Sequence, residues 1–184
     1  MSTADIQGIL VKSASDLIDL DAPNYQYVAA RLLLFGLRKN LYARIHELPT
    51  LIDQIQRGVD KGIYDQDILK KYSEKEIETL DNIIDHERDY LFTYAGLRQV
   101  VDKYLVQDRS TGEVYETPQF MYMLIAMTIF AEYPPESRLD YVTRYYNAIS
   151  RHKINIPTPI MGGVRTPIRQ FASCVLVDID DTLD

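Results

Sequence analysis

The residues best suited to chemistry lie together in QFASCVLVDIDDTLD, residues 170–184. Ser173 and Cys174 stand before an apolar run, and a thiol there can take part in two-electron redox chemistry by closing to a disulfide. Asp178 and Asp180 follow the same run, and a strand-end aspartate with a second carboxylate two residues later suits phosphoryl transfer with Mg²⁺. The segment therefore indicates either a redox thiol or a phosphoryl-transfer nucleophile.

The composition restricts the partners of these residues. The chain has 184 residues, of which 46% are apolar, and this suits one globular domain with a substantial core. Its 20 Lys and Arg against 27 Asp and Glu give a net charge of −7. Nonspecific binding to a phosphate backbone needs a basic field, so we expect no direct DNA or RNA binding. A nucleotide site of a few residues remains compatible with this charge.

The cysteine count and the apolar runs indicate the compartment. The single cysteine cannot form an internal disulfide, which is consistent with a reducing environment. No secretory leader stands at the start, and the longest apolar run, 120–131, is shorter than the roughly 20 residues that cross a bilayer. We therefore expect a cytoplasmic protein without a membrane partner.

Most of the chain has helical periodicity. Residues 24–45 predict a helix whose buried stripe is Val28, Leu32, Phe35 and Leu41, with Arg38 in solvent. The serine of Ser73-Glu74-Lys75-Glu76 fits a capping box, which starts a helix. Other predicted helices cover 4–19, a short stretch from Pro49 to about Gly62, the all-round apolar run 120–131, and 136–151.

Three segments depart from the helical pattern. Residues 104–116 flank a polar turn with Gly112 and predict a β-hairpin. Residues 154–160 contain two prolines and predict non-helical backbone. Residues 171–179 are apolar and β-branched, which predicts a strand buried on both faces. Because a lone buried strand leaves its backbone groups unpaired, we expect this chain to be a piece of something larger.

The segment PTPIMGGVRTPIRQFASCVL at 157–176 resembles the large, catalytic subunit of class I ribonucleotide reductases. That family has a Pro-Thr-Pro turn, a small-residue loop, Arg-Thr-Pro, and then Arg-Gln-Phe-x-Ser-Cys opening the first strand of a ten-stranded α/β barrel. Four further stretches resemble the helical N-terminal region of the same family: DAPNYQY at 21–27, DHERDYLFTYAG at 85–96, YLVQDRSTGEVYETPQF at 104–120 and RYYNAIS at 144–150.

The resemblance implies roles for four residues. Cys174 matches the cysteine that delivers reducing equivalents to the ribose and ends in a disulfide. Thr158 and Ser173 match residues that hold the substrate diphosphate. Asp181 falls where the family has an aspartate at the specificity site for effector nucleotides, although this chain has Asp-Asp-Thr where relatives often have Gly-Asp-Ser. No metal ligand is implied here.

The resemblance also implies the fold and its divisions. The expected class is mainly α, with a small β-hairpin and, at the end, the first strand of the barrel. Residues 1–20 resemble the last helix of the family's ATP cone, residues 21–153 the helical N-terminal domain, and residues 154–184 the loop and first barrel strand.

The partners follow from the family as well. This chain itself carries no cofactor, whereas the assembled enzyme would use a small subunit with a metal-radical centre, thioredoxin or glutaredoxin, and ATP or dNTP effectors. The family's other active-site residues, including the radical cysteine and the partner cysteine, do not occur in this chain. We therefore expect a component that reduces ribonucleoside diphosphates only with a complementary C-terminal large-subunit chain and is inactive alone.

Two alternatives stand beside this interpretation. The first is a non-catalytic helical module for interaction or assembly, in which Cys174 is a buried structural thiol. The second takes DIDDTL at 178–183 as the opening motif of a haloacid-dehalogenase-like phosphatase, although the later motifs of that family cannot be supplied by this chain.

Overall fold

The computed structural model describes residues 2–43 and 47–177, and within these ranges the chain is mainly helical. A 3₁₀ turn (His86–Leu91) and a π-helical turn (Val100–Tyr104) flank α6. The α-helices are α1 (Thr3–Asp16), α2 (Tyr25–Tyr42), α3 (Leu51–Asp60), α4 (Asp67–Lys71), α5 (Glu74–Asp81), α6 (Tyr94–Gln99), α7 (Pro118–Ile129), α8 (Pro135–Ser150) and α9 (Thr158–Gly163).

Local capping explains where the helices begin. The predicted box at α5 is confirmed: Ser73 Oγ accepts from the Glu76 amide, and the Glu76 carboxylate accepts from the Ser73 amide at 2.9 Å. Thr50 caps α3 in the same way by accepting from the Asp53 amide. After α3 the chain turns at Gly62, which has a φ of +68°, a conformation that glycine adopts without steric cost.

Helix α7 forms the centre of the core. Its residues from Pro118 to Met127 are all buried, which agrees with the apolar run predicted there, and α8, α9 and the 3₁₀ turn pack around it. The Tyr72 hydroxyl donates to the Met127 carbonyl at 2.7 Å, so the polar end of this buried ring has a partner. Among the helices of the described ranges, none is long and apolar enough to cross a membrane.

The prediction for the buried face of α2 was partly wrong, since only Leu32 and Leu41 of the predicted stripe are half-buried. Val28 and Phe35 are 44% and 40% exposed, whereas the buried side of the helix carries Ala29, Ala30, Leu34, Leu37 and Arg38. This helix has apolar residues on most of its surface, so periodicity alone does not select the face that meets α6. Arg38 is buried because its guanidinium pairs with Asp89 at 3.0 Å.

The β-hairpin is not confirmed as a pair of strands. Gln107 and Val114 form one isolated antiparallel bridge, closed by the Asp108 amide donating to the Glu113 carbonyl at 2.8 Å. Gly112, with a φ of +74°, provides the turn. The segment therefore reverses direction as a hairpin does, but a single β-bridge joins its two arms.

The prediction that residues 154–160 are non-helical was partly wrong. Thr158, Pro159 and Ile160 form the first turn of α9, with Pro157 at the N-cap. A proline in the first helical turn lacks only an N–H that would have no partner within the helix, so two prolines here mark a helix start.

The predicted barrel strand is also not confirmed. Residues 171–177 lie in irregular backbone that pairs with no other strand of the described ranges. Val175, Leu176 and Val177 are 74%, 101% and 72% exposed. A strand needs a neighbour for its backbone groups, and the described residues provide none here. Asp178 and Ile179, the end of the prediction, lie outside the described residues.

A glycine in α3 tests the packing of this fold. A Cβ on Gly58 would lie 2.1 Å from Cδ2 of the buried Tyr64 ring. We expect Gly58→Ala to lower the free energy of unfolding by about 1–3 kcal/mol or more, because the ring is confined on its other sides. Urea denaturation followed by circular dichroism measures this.

The matched control is Gly8 in the middle of α1, where an added Cβ meets nothing within 4 Å. Gly8→Ala should raise the free energy of unfolding by roughly 0.5–1 kcal/mol through helix propensity alone. Equal effects of the two substitutions would contradict the packing of Tyr64 against α3.

Candidate functional site

Thr158 is the first residue of α9, and its side chain is exposed. Its Oγ1 lies 3.5 Å from the Tyr104 hydroxyl, which comes from the end of the π-helical turn. The hydroxyl is thus presented at the surface by a short helix, where it is free to bond a ligand.

Ser173 and Cys174 are exposed and lie in the irregular segment 171–177. The Ser173 hydroxyl is 3.7 Å from Cys174 Sγ, a distance compatible with a weak hydrogen bond to sulfur. The interpretation of Cys174 as a buried structural thiol does not hold in this structure, because its side chain is open to solvent. Asp181 lies outside the described residues.

The anchor of this region is Arg165, whose side chain has no solvent exposure. Its guanidinium forms an ion pair with the equally buried Glu116, in which Nε lies 3.1 Å and 3.0 Å from the two carboxylate oxygens and Nη2 makes a further close contact. A buried ion pair is tolerated only when its geometry is good and the remaining donors find acceptors.

Those remaining donors join two further segments. Nη1 of Arg165 donates to the Met161 carbonyl in α9 at 2.5 Å, and Nη2 donates to the Tyr104 carbonyl at 2.8 Å. One side chain thereby ties α9, the π-helical turn and Glu116 together. This arrangement also fixes the position of Thr158, because Thr158 lies one helical turn before Met161.

Glu116 has partners on its other side as well. It accepts from the Val106 amide at 2.8 Å and from the Tyr64 hydroxyl at 2.8 Å. Gln54 of α3 donates to the same hydroxyl at 2.8 Å. Burial, reinforced by the Glu116 charge, raises the pKa of Tyr64 well above its usual value, so the hydroxyl stays protonated and remains a donor.

Tyr104 is the residue that sequence reasoning missed at the surface of the site. Its hydroxyl accepts from Gln99 Nε2 at 3.2 Å and lies beside Thr158. Hydrogen bonding with Thr158 and then Gln99 lowers the pKa of Tyr104. The sequence carries no direct signal for this contact, since 54 residues separate Tyr104 from Thr158.

A cavity of about 610 Å³ lies between the hairpin turn and the segment that follows α9. Its lining includes Pro159 and Gly162 of α9, Ile168 of the following segment, and the basic residues Lys103 and Arg109. Thr158, Ser173 and Cys174 are not among its lining residues, so the described structure does not gather the three predicted residues into this cavity.

Other polar motifs of the sequence have structural partners. Asp85 caps the 3₁₀ turn and pairs with Arg88 at 3.1 Å, while His86 packs its ring edge-on against Phe120. Tyr146 donates to Gln119 Oε1 at 2.8 Å, so the hydroxyl of this buried tyrosine has a partner inside the core.

Comparison with known proteins gives matches to one class of enzyme subunit. The family described as "Ribonucleotide reductase, all-alpha domain" matches residues 90–169. The chain is 52% identical over its whole length to ribonucleoside-diphosphate reductase 1 subunit alpha of Escherichia coli K12. It matches the N-terminal region of class I ribonucleotide reductase large subunits, as the motif at 157–176 predicted.

More distant relatives of the reductase family match the same stretch. The alpha subunit from Enterobacteria phage T4 is 49% identical over 183 residues, and that from Treponema pallidum is 30% identical over 178 residues. The chain spans 24% of the length of the Escherichia coli relative. The similarity therefore concerns one quarter of a reductase alpha subunit.

The buried ion pair between Arg165 and Glu116 gives a stability prediction. We expect Arg165→Leu to lower the free energy of unfolding by about 3–5 kcal/mol, because Glu116 is left as an uncompensated buried charge. Urea denaturation of the chain measures the loss.

The matched control is Arg144→Leu in α8. Arg144 pairs with Asp140 at 3.2 Å, but the two side chains are 70% and 67% exposed. An exposed pair of this kind contributes about 0–1 kcal/mol. If both substitutions cost the same, the anchoring role of Arg165 is wrong.

Proposed function

We propose that this chain is the part of a ribonucleoside-diphosphate reductase large subunit that supplies one redox thiol, Cys174, and part of the substrate diphosphate site. The enzyme reduces ribonucleoside diphosphates to deoxyribonucleoside diphosphates for DNA synthesis. Further large-subunit polypeptide completes the active site, and the chain by itself has no reductase activity.

The exposure of residues 171–177 carries the proposal. Three consecutive apolar side chains, Val175 to Val177, are in solvent directly after Cys174. Burying one such side chain fully contributes roughly 1.5–3 kcal/mol, so a strand partner would stabilise this segment substantially. A neighbouring strand from the rest of a large subunit would cover these side chains and pair the backbone.

The chemistry is a balanced two-electron reduction. Two thiols, Cys174 and a second cysteine of the remaining large-subunit polypeptide, close to a disulfide and release two electrons and two protons. The C2′–OH bond of the ribose breaks, a C2′–H bond forms, and the hydroxyl leaves as water. A dithiol protein of the thioredoxin or glutaredoxin class then reduces the disulfide for the next turnover.

The hydroxyl groups have a separate role in this proposal. Thr158 and Ser173 donate hydrogen bonds to the phosphate oxygens of the substrate, which are acceptors only. Both side chains are exposed, and neither hydroxyl is enclosed by the core. Asp181 would contact an effector nucleotide at the specificity site, and a small subunit with a metal-radical centre would initiate the reaction.

A second candidate is a helical interaction module without catalysis. It is favoured by the apolar face that α1 and α2 leave in solvent, where Ile9, Leu10 and Leu17 are exposed. This candidate expects a chain that does not bind complementary large-subunit polypeptide through residues 171–177. Size-exclusion chromatography with and without that polypeptide separates the two.

The phosphatase interpretation has weaker support. Its nucleophile, Asp178, and its general acid, Asp180, lie outside the described residues. The match to reductase alpha subunits extends over all 184 residues of the chain, including this motif. Mg²⁺-dependent phosphate release that Asp178→Asn removes would be needed to support it.

Replacement of the thiol tests the catalytic proposal. The chain is combined with the remaining large-subunit polypeptide and the small subunit, and reduction of cytidine diphosphate is followed with thioredoxin as the reductant. We expect Cys174→Ser to abolish sustained turnover, because an alcohol cannot close to a disulfide with the second cysteine.

The matched control is Ser13→Ala, a change of similar size at an exposed serine in α1. Both variants should unfold within about 0.5 kcal/mol of the wild type, since each lies at the surface. Undiminished thioredoxin-dependent turnover by Cys174→Ser would falsify the redox role.

A further inference from the structure

Three polar groups form a line at the surface beside α9. Gln99 Nε2 donates to the Tyr104 hydroxyl at 3.2 Å, and that hydroxyl lies 3.5 Å from Thr158 Oγ1. The three residues come from the end of α6, the end of the π-helical turn and the start of α9. Either hydroxyl can be the donor in the contact between Tyr104 and Thr158, so the direction of this line depends on the groups around it.

The backbone under Tyr104 is fixed independently of this line. The π-helical turn closes with the Leu105 amide donating to the Val100 carbonyl at 3.0 Å, and single π turns of this kind are frequent at functional sites. The Tyr104 carbonyl is held by Arg165, the same side chain that holds α9 through Met161. The hydroxyls of Tyr104 and Thr158 are therefore placed side by side by a common buried anchor.

The amide of Gln99 favours one direction for the phenol proton. A tyrosine hydroxyl has one proton to donate and accepts with its oxygen. Because the Gln99 N–H donates to this oxygen, a Tyr104 proton that lies toward Thr158 Oγ1 gives both hydroxyls a partner. In that arrangement the Thr158 proton points away from Tyr104, toward the exposed side of the hydroxyl.

We propose that Tyr104, oriented by Gln99, is a positioning residue that directs the Thr158 proton toward a phosphate oxygen of the substrate. The relay runs from the Gln99 amide to Tyr104, then to Thr158, and then to the phosphate. It rests on the diphosphate role of Thr158 proposed above. Its direction selects an acceptor-only group at Thr158 and disfavours a ligand that offers a donor.

The separation of the two hydroxyls is compatible with this relay. The 3.5 Å separation is longer than the roughly 2.7–2.8 Å of a closed O–H···O bond. Hydrogen bonds in unliganded sites are often long and tighten in the complex, so we expect this distance to shorten when a phosphate accepts from Thr158.

Removal of the phenol hydroxyl is the first test, in the reductase assembled from this chain, the remaining large-subunit polypeptide and the small subunit. We expect Tyr104→Phe to raise the KM for cytidine diphosphate roughly three- to tenfold, the range of one lost hydrogen bond. The kcat should stay unchanged because Tyr104 does not touch the ribose. A purely structural role would instead lower the amount of folded enzyme and leave the KM of the remainder unchanged.

Reversal of the relay is the second test. A glutamate at position 99 accepts from the Tyr104 hydroxyl and draws its proton away from Thr158, so Gln99→Glu should raise the KM in the same way. The two substitutions combined should add little to either alone, because both interrupt the same line. The control is Tyr115→Phe, whose hydroxyl donates to Glu113 on the exposed hairpin turn and should leave the KM unaltered.

Thr158→Val distinguishes a failure of the relay from a failure of the proposed function. If Thr158→Val leaves the KM unchanged, the diphosphate role of Thr158 is wrong and the relay is wrong with it. If Thr158→Val raises the KM but Tyr104→Phe or Gln99→Glu does not, the relay alone is overturned. A raised KM in all three variants, with Tyr115→Phe unaffected, supports the relay.

Discussion

The buried ion pair between Arg165 and Glu116 is the constraint on which the arrangement of the site depends. Two charges without solvent exposure cost several kcal/mol each to desolvate, and only complete pairing offsets that cost. Here the guanidinium bonds to the carboxylate and to two carbonyls, and the carboxylate also accepts from Val106 and Tyr64. Because each partner belongs to a different segment, these segments can change position only by breaking the pair.

This constraint separates the site into a rigid part and an exposed part. Thr158 lies on α9 and is held through Met161, whereas Ser173 and Cys174 lie in an irregular segment whose apolar side chains are in solvent. Phe171 is half-buried, and a Cβ added to Gly163 would lie 3.7 Å from its ring, so the exposed part begins after Phe171. The two proposed diphosphate residues, Thr158 and Ser173, therefore lie on different segments, and Cys174 shares the exposed segment with Ser173.

Local signals in the sequence predicted much of the helical fold. The capping box at Ser73 and the all-round apolar α7 were read correctly because each depends on residues close in sequence. The buried face of α2 was not predicted correctly, because it is selected by packing against α6 and by the pairing of Arg38 with Asp89. Asp89 lies 51 residues after Arg38 in the sequence. The family motif included Arg165, but no local pattern predicts its pairing with Glu116, 49 residues earlier.

The predicted strand at 171–179 shows why part of the site was beyond prediction from this chain. Its apolar, β-branched residues have the composition of a buried strand, yet strand structure is made by pairing and not by composition alone. Partner polypeptide that supplies the neighbouring strands would bind the paired form and stabilise it by mass action. In the proposed reaction the Cys174 thiol meets a ribose carbon, which needs positional accuracy of about an ångström. Under that proposal, pairing of residues 171–177 would also place Cys174 for reaction, so assembly would be a condition for the chemistry.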